Sequence, residues 1–303
     1  MKQSSASYRV SAGHAFAIAA TGIGLFSIMD AVMKGLVLAI GVYNTMLWRS
    51  IANVALGGIA WGIAGYRMPS RRAMLLHITR GFVTCAMALL FFWGLARVPM
   101  AQAIALSYIA PILALLLGAW WLKERITRRA ILATGAACAG IATIFVGQSR
   151  AEPGPDALAG ALAVLASAIL YAGNLILTRL QSLAARPAET ACVQSIVILI
   201  LLGCAAPWLA TVPPRDALPA LALAACLAFV SMMMLSWAYA HGEAGYLAMT
   251  EYTSFVYAAL LGYLVFGERV APYTLAGAAL IVAACVYAAR RRDIAAQTLE
   301  PVA

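Results

Sequence analysis

What this chain lacks most is charge. Asp, Glu, Lys and Arg together make up 11% of its 303 residues, against 64% apolar residues, and the mean hydropathy is +0.90. That composition leaves no polar skin for a soluble globule of this size and marks an integral membrane protein. Acidic side chains are the scarcer sign, 11 against 21 basic ones. A net charge of +10 would suggest nucleic acid in a soluble protein, but here the basic residues cluster in short loops and termini, as membrane orientation requires. Nucleic acid is therefore not an expected partner. Paired cysteines are absent too: Cys85, Cys138, Cys192, Cys204, Cys226 and Cys285 all fall inside apolar runs without metal or redox spacing, so they read as buried thiols. HExxH, GxSxG and P-loop signatures are missing. The chain is accordingly read as no enzyme, with no cofactor and no metal, and an ATP-driven pump is excluded. A cleavable signal peptide is missing as well, because the first apolar run ends in charged residues where a small-residue cleavage site would lie.

What is present is a series of apolar runs. A hydrocarbon core of roughly 30 Å needs about 20 helical residues, and runs of that length fall at about 14–35, 43–64, 73–95, 100–121, 128–147, 157–179, 189–211, 217–240, 244–266 and 270–289. The expected fold is all-α integral membrane with ten transmembrane helices. Short Pro- and Gly-marked connections such as Glu152-Pro153-Gly154-Pro155 and Val212-Pro213-Pro214 leave no room for a soluble domain. With the N-terminus inside, one side collects fourteen Lys and Arg residues, from Lys2 and Arg9 to Arg290, Arg291 and Arg292, and the other only Arg97, Arg150, Arg215 and Arg269. This bias predicts that both termini are cytoplasmic.

The two halves align without a gap at an offset of 144 residues. Tyr108, Ala114, Leu116, Leu117, Gly118, Glu124 and Arg125 fall on Tyr252, Ala258, Leu260, Leu261, Gly262, Glu268 and Arg269. The same offset pairs Trp93 with Trp237 and Asp30 with Asn174. Each copy contains five helices, an odd number, so the second must cross in the opposite sense to the first. The expected organisation is a segment 1–13, a five-helix repeat 14–147, a linker 148–156, an inverted five-helix repeat 157–289 and a cytoplasmic tail 290–303. Inverted repeats place a substrate site near the midplane between the halves.

Five ionisable residues cannot be loop residues: Asp30, Lys34, Arg49, Arg80 and Glu251. A carboxylate at mid-helix costs about 2.5–3.5 kcal/mol on insertion scales, so such groups face other helices or a watery cavity. Glu251 is expected about two turns inside span 9, with Ala248, Ser254, Phe255, Ala258 and Gly262 on its face and Met249, Val256, Leu260 and Leu264 on the opposite, oily one. By depth, Asp30 belongs with Arg49 or Lys34 in an outer cluster, and Arg80 with Glu251 in an inner one; static ion pairs would serve equally well. Lys34 is near enough to a helix end to snorkel. Polar stripes at Thr45, Arg49 and Asn53, at His77, Arg80 and Thr84, and at Ser167, Tyr171, Asn174 and Thr178 call for partners or water. Tyr108 and Tyr252 could stack on a substrate, although packing or interface anchoring is the commoner role of such rings, and Ser107 stands where the second repeat has Glu251. His77, as a lone histidine near a helix end, reads as interfacial. Gly58 with Gly62 suits close helix packing, and Pro111 suits a kink. Glu268-Arg269 reads as a helix-end turn.

These features resemble the ten-helix, EamA-type branch of the drug/metabolite transporter superfamily. The resemblance covers about residues 14–290 and is carried by the two repeats, by LARVPMAQAIALSYIAP ending at Pro111, and by the repeated Gly-to-Glu-Arg stretch of Gly118–Arg125 and Gly262–Arg269. It implies a secondary transporter of small organic metabolites with a central cavity between repeats. Within that superfamily, FSIMDAVMK, HITRG and TEYTSFVYA are similar to the bacterial S-adenosylmethionine uptake group, which points to Asp30, Lys34, Arg80, Glu251 and Tyr252. The expected activity is secondary active transport of a small charged or zwitterionic metabolite by alternating access, with the lipid bilayer as surroundings and protons as a coupling ion through Glu251. A passive channel and a lipid-headgroup flippase are the alternatives.

Overall fold

A computed structural model describes residues 12–66, 68–121, 128–150, 156–182, 184–241 and 249–289. Expectations for residues 1–11, for Glu124 and Arg125, for 244–248 at the start of span 9, and for the tail from 290 lie outside these. The described chain is helical, with no strand. In order it forms α1 (Ala12–Ile40), α2 (Val42–Ile63), α3 (Arg71–Leu95), α4 (Met100–Ser107), α5 (Ala110–Trp121), α6 (Arg128–Arg150), α7 (Ala157–Ser182), α8 (Pro187–Leu209), α9 (Ala217–His241), a 3-10 turn (Met249–Tyr252), α10 (Thr253–Phe266) and α11 (Pro272–Ala289). In hydrocarbon an unpaired backbone group costs several kcal/mol, and a helix pairs its own. By length and composition α1, α3, α7, α8 and α9 each suffice to cross a membrane.

Local chemistry sets the ends. α1 and α2 are separated only by Gly41, whose φ of 78° lies in the left-handed region that glycine enters without a Cβ penalty. The Ser70 hydroxyl accepts a bond from the Ala73 amide at 3.2 Å and so caps α3.

Two expected spans are not continuous helices. The run 100–121 is split into α4 and α5, because the Pro111 ring has no N–H to donate to the Ser107 carbonyl four residues back and crowds it; α4 ends at Ser107. The run containing Glu251 enters α10 through the 3-10 turn, so Glu251 precedes that helix and is not buried two turns within it. Beyond the turn the two faces are as read from the sequence: Ala258 and Gly262 are buried, while Val256, Leu260 and Leu264 are exposed.

The main helix pairs are α1 with α9, α3 with α7, α2 with α8, and α6 with α11, while α4 packs on α10. Small residues make the crossings. A Cβ on Gly94 would come within 2.5 Å of the Gly160 carbonyl, one on Gly140 within 2.7 Å of the Gly277 carbonyl, and one on Gly57 within 2.9 Å of the Cys192 Cα. Gly58 and Gly62 face open space, with nothing within 4 Å, so the expected notch on α2 is made by their neighbour Gly57 instead.

Candidate functional site

Asp30 on α1 is 6% exposed, yet among the described residues its carboxylate has no hydrogen-bond or ion-pair partner. Its charge acts on Arg49 of α2, which lies beyond contact distance. Among the described residues the Arg49 guanidinium touches soft groups only: Met29 Sδ at 3.6 Å, Met46 Sδ at 3.8 Å and the Phe92 ring, whose centroid is 5.5 Å away. Its Nε is buried without an acceptor. Two opposite charges are thus held near each other while neither has a strong partner, and an unpaired buried charge is costly.

Lys34, one turn further along α1, does not complete this group. Its Nζ donates to the Val98 carbonyl at 2.7 Å and to Glu268 Oε1, with the Phe266 ring 5.2 Å away. It is 4% exposed and so does not snorkel. The other Glu268 oxygen accepts from the Met100 amide at 2.8 Å, where a carboxylate also favours the positive end of α4. Glu268 is therefore half of a buried ion pair joining α1, α4 and the loop after α10.

Arg80 anchors a second group. Its Nε donates to Asn174 Oδ1 at 3.1 Å and its Nη1 to Gln181 Oε1, both on α7. Asn174 Oδ1 also accepts from Thr84 at 3.2 Å, and Thr84 accepts from Gln194 of α8 at 3.0 Å. Gln181 Nε2 lies 2.5 Å from His77 Nδ1, and His77 Nε2 lies 3.1 Å from Glu189 Oε1. His77 is fully buried, inside this chain of bonds and not at an interface. The expected direct pairing of Arg80 with Glu251 is replaced by these amide bonds, although the charges of both residues act on Tyr171.

Glu251 sits exposed in the 3-10 turn, beside the point where α4 and α10 meet. There the Tyr108 and Tyr252 rings contact edge to face, with centroids 5.5 Å apart. The Tyr108 hydroxyl accepts from the Phe255 amide at 3.0 Å and lies 2.8 Å from Ser254 Oγ and 3.3 Å from the Glu251 and Tyr252 carbonyls. It thus occupies the place of the Phe255-to-Glu251 helical bond. Phe255 is the residue that the 144-residue offset pairs with Pro111, so both breaks lack the same bond, one through proline and one through an inserted hydroxyl. Ser107 Oγ bonds back to the Ala103 carbonyl at 2.9 Å. Trp93 lies under the Arg97 guanidinium, 3.6 Å from its centroid, and Trp237 stacks on His241 at 4.3 Å.

Sequence reasoning missed Gln181, Glu189 and Glu268. Gln181 continues the α7 stripe one heptad beyond Asn174, which is the signal that could have found it. Glu189 and Glu268 lie close to helix ends, and their partners are 112 and 234 residues away, so spacing carries no trace of them.

The comparisons with known proteins agree with this architecture. The model of the EamA-like transporter family matches residues 12–146 and again 158–290. The pseudopaline exporter CntI of Pseudomonas aeruginosa is 27% identical over 271 residues, covering 88% of this chain and 93% of that protein. A riboflavin transporter of Rhizobium johnstonii is 31% identical over 217 residues, 71% of this chain and 70% of that one. A probable terminal-alkyne amino-acid exporter of Streptantibioticus cattleyicolor is 29% identical over 268 residues, with coverages of 83% and 85%. One crystal structure superposes with a TM-score of 0.60 at 21% identity, over 93% of this chain and all of the other, which shows a shared fold. With the family model matched twice along nearly its whole length, this chain belongs to the EamA-like transporter family of membrane proteins.

Proposed function

We propose that the protein is a secondary active transporter that moves a small charged or zwitterionic organic metabolite across the bacterial inner membrane by alternating access. The observation that carries this reading is the split pair of Asp30 and Arg49, a buried carboxylate and a half-buried guanidinium held near each other without strong partners. An ammonium group at Asp30 and a carboxylate at Arg49 would satisfy both, as would the two ends of an amino acid or a derivative such as S-adenosylmethionine. Arg80, Asn174, Glu251, Tyr108 and Tyr252 would line the remainder of the path, with Ser107 beside it and Lys34 acting from the Glu268 clamp. Protons are the proposed coupling ion, with Glu251, exposed in the 3-10 turn, as the carboxylate that carries them.

The moving parts in this reading are two inverted five-helix repeats, residues 14–147 and 157–289. Support comes from the packing pattern. Exchanging each helix of the first half for its counterpart in the second turns α1 on α9 into α7 on α3, and returns α2 on α8 and α6 on α11 to themselves. The double match of one family model points the same way. Both termini on the cytoplasmic side would follow from the Lys and Arg bias.

The test is thermal stabilisation of the purified protein by amino acids and S-adenosylmethionine, followed by uptake of any hit into proteoliposomes. A ligand at a hundredfold over its Kd should stabilise the wild type by about 2.7 kcal/mol. Asp30→Asn and Arg49→Met should abolish that gain. A hit that stabilises Arg49→Met as well as the wild type, or a substrate that equilibrates without accumulating against an imposed proton gradient, refutes the reading.

A further inference from the structure

The bond chain on α3 contains a donor–acceptor constraint that links His77 to Arg80. A guanidinium can only donate, so Gln181 must turn Oε1 toward Arg80 Nη1. Its amide N–H then points at His77 Nδ1, 2.5 Å away, and Nδ1 must accept. The proton of the neutral ring is therefore on Nε2, where it donates to Glu189 Oε1 at 3.1 Å. A second proton on His77 can go only to Nδ1, and there an N–H would face an N–H. The amide relieves this by turning over, but it then presents its N–H groups to Arg80. A proton on Nδ1 and the Gln181–Arg80 hydrogen bond exclude each other.

We propose that His77 is a proton-binding site and that Gln181 transmits its occupancy to Arg80. With the site empty, Arg80 is held by both Gln181 and Asn174. With it filled, Arg80 keeps only Asn174 and one face of its guanidinium is free for an anionic group, so a proton and an anion are taken up together. The use of this coupling in transport rests on Arg80 touching substrate, as proposed above; the exclusion itself does not. Among the described side chains, the ionisable groups on the elements packed at His77 are Glu189 and Cys192 on α8, the exposed Arg186 just before that helix, and Arg80 with the exposed Arg71 and Arg72 on α3 itself. On α7 the group is Tyr171, with Glu251 behind it, acting at Arg80. α2 carries no ionisable side chain after Arg49.

The test uses the full chain in nanodiscs with 15N-labelled histidine, and needs no substrate, so its outcome is independent of any transport assay. Of the three histidines, His77 is assigned by substitution. In the wild type at alkaline pH its ring should be the Nε2–H tautomer with a hydrogen-bonded Nδ1; an Nδ1–H tautomer overturns the proposal. The ring is then titrated in the wild type, Arg80→Met, Gln181→Met and the double variant. Loss of the Arg80 charge favours protonation in both backgrounds, but only with Gln181 in place does it also free the amide. Arg80→Met should therefore raise the proton affinity of His77 about tenfold more with Gln181 present than in the Gln181→Met background, the net worth of about one hydrogen bond. Equal shifts in the two backgrounds overturn the relay.

Discussion

Replacing Lys34 by methionine removes the cation of a buried pair whose geometry fixes the expected cost. Lys34 is 4% exposed and its ammonium serves both the Val98 carbonyl, at 2.7 Å, and the Glu268 carboxylate. Breaking a buried pair from one side costs about 3–5 kcal/mol, chiefly because the other charge is stranded. The Glu268 side chain retains 19% exposure and keeps the Met100 amide, so the lower end applies, about 3 kcal/mol. At roughly 2 °C per kcal/mol for a chain of this length, the melting temperature should fall by about 6 °C. Glu268→Gln strands the ammonium instead and should cost a similar amount. The double variant strands neither, so its loss should be smaller than the sum of the two by about 2 kcal/mol. Thermal unfolding followed by tryptophan fluorescence, at one detergent and one protein concentration, measures all four proteins. Additive losses, or a Lys34→Met variant that melts with the wild type, would refute the reasoning, since an ammonium that simply snorkels to water has no stake in Glu268.

Two further predictions concern the packing. Gly94→Ala should lower stability by about 1–3 kcal/mol, since its Cβ would meet the Gly160 carbonyl at 2.5 Å and Val164 at 2.7 Å. Gly58→Ala, with nothing within 4 Å, should raise stability by up to about 1 kcal/mol through helix propensity; the same melting assay decides, and equal effects at the two sites would contradict the assigned crossing. Tyr108→Phe removes the acceptor of the Phe255 amide, so that amide should exchange its hydrogen faster, with a stability loss of about 1–3 kcal/mol. Unchanged exchange at Phe255, with no rewinding of Met249–Tyr252 into α-helix, would mean that the hydroxyl is not its partner.

The sequence legible to simple rules was the membrane class, the position of most helices, and the inward face of some, such as α3 and α10. Apolar length marks a span wherever it occurs, and a 3.6-residue period puts His77, Arg80 and Thr84 on one side of α3 whatever lies opposite. The choice of partner was not legible. Lys34 could reach Asp30 on its own helix or anything beyond, and only the three-dimensional packing brings Glu268 to it across 234 residues. The state of Glu251 was hidden for a related reason. Its run is apolar and long enough for a continuous helix, and nothing near it in the chain interrupts that helix; the interruption comes from a hydroxyl 147 residues from the Phe255 amide it binds. Pro111, whose effect is confined to its own four residues, could be read directly.

That difference between the two breaks bears on which of them can be undone. The break at Pro111 is permanent, because no rearrangement supplies the missing N–H. The break at Phe255 is conditional on Tyr108 staying in place. Were the hydroxyl to withdraw, the four residues Met249–Tyr252 could join α10 as α-helix. With a rise of about 1.5 Å in place of 2.0 Å and 100° per residue in place of 120°, that segment would shorten by about 2 Å and unwind by roughly 80°. Glu251, two residues from the start of α10, would be turned by about 40° relative to that helix by a change of winding alone, so the separation of α4 from α10 and the direction in which this carboxylate points form a single mechanical coordinate.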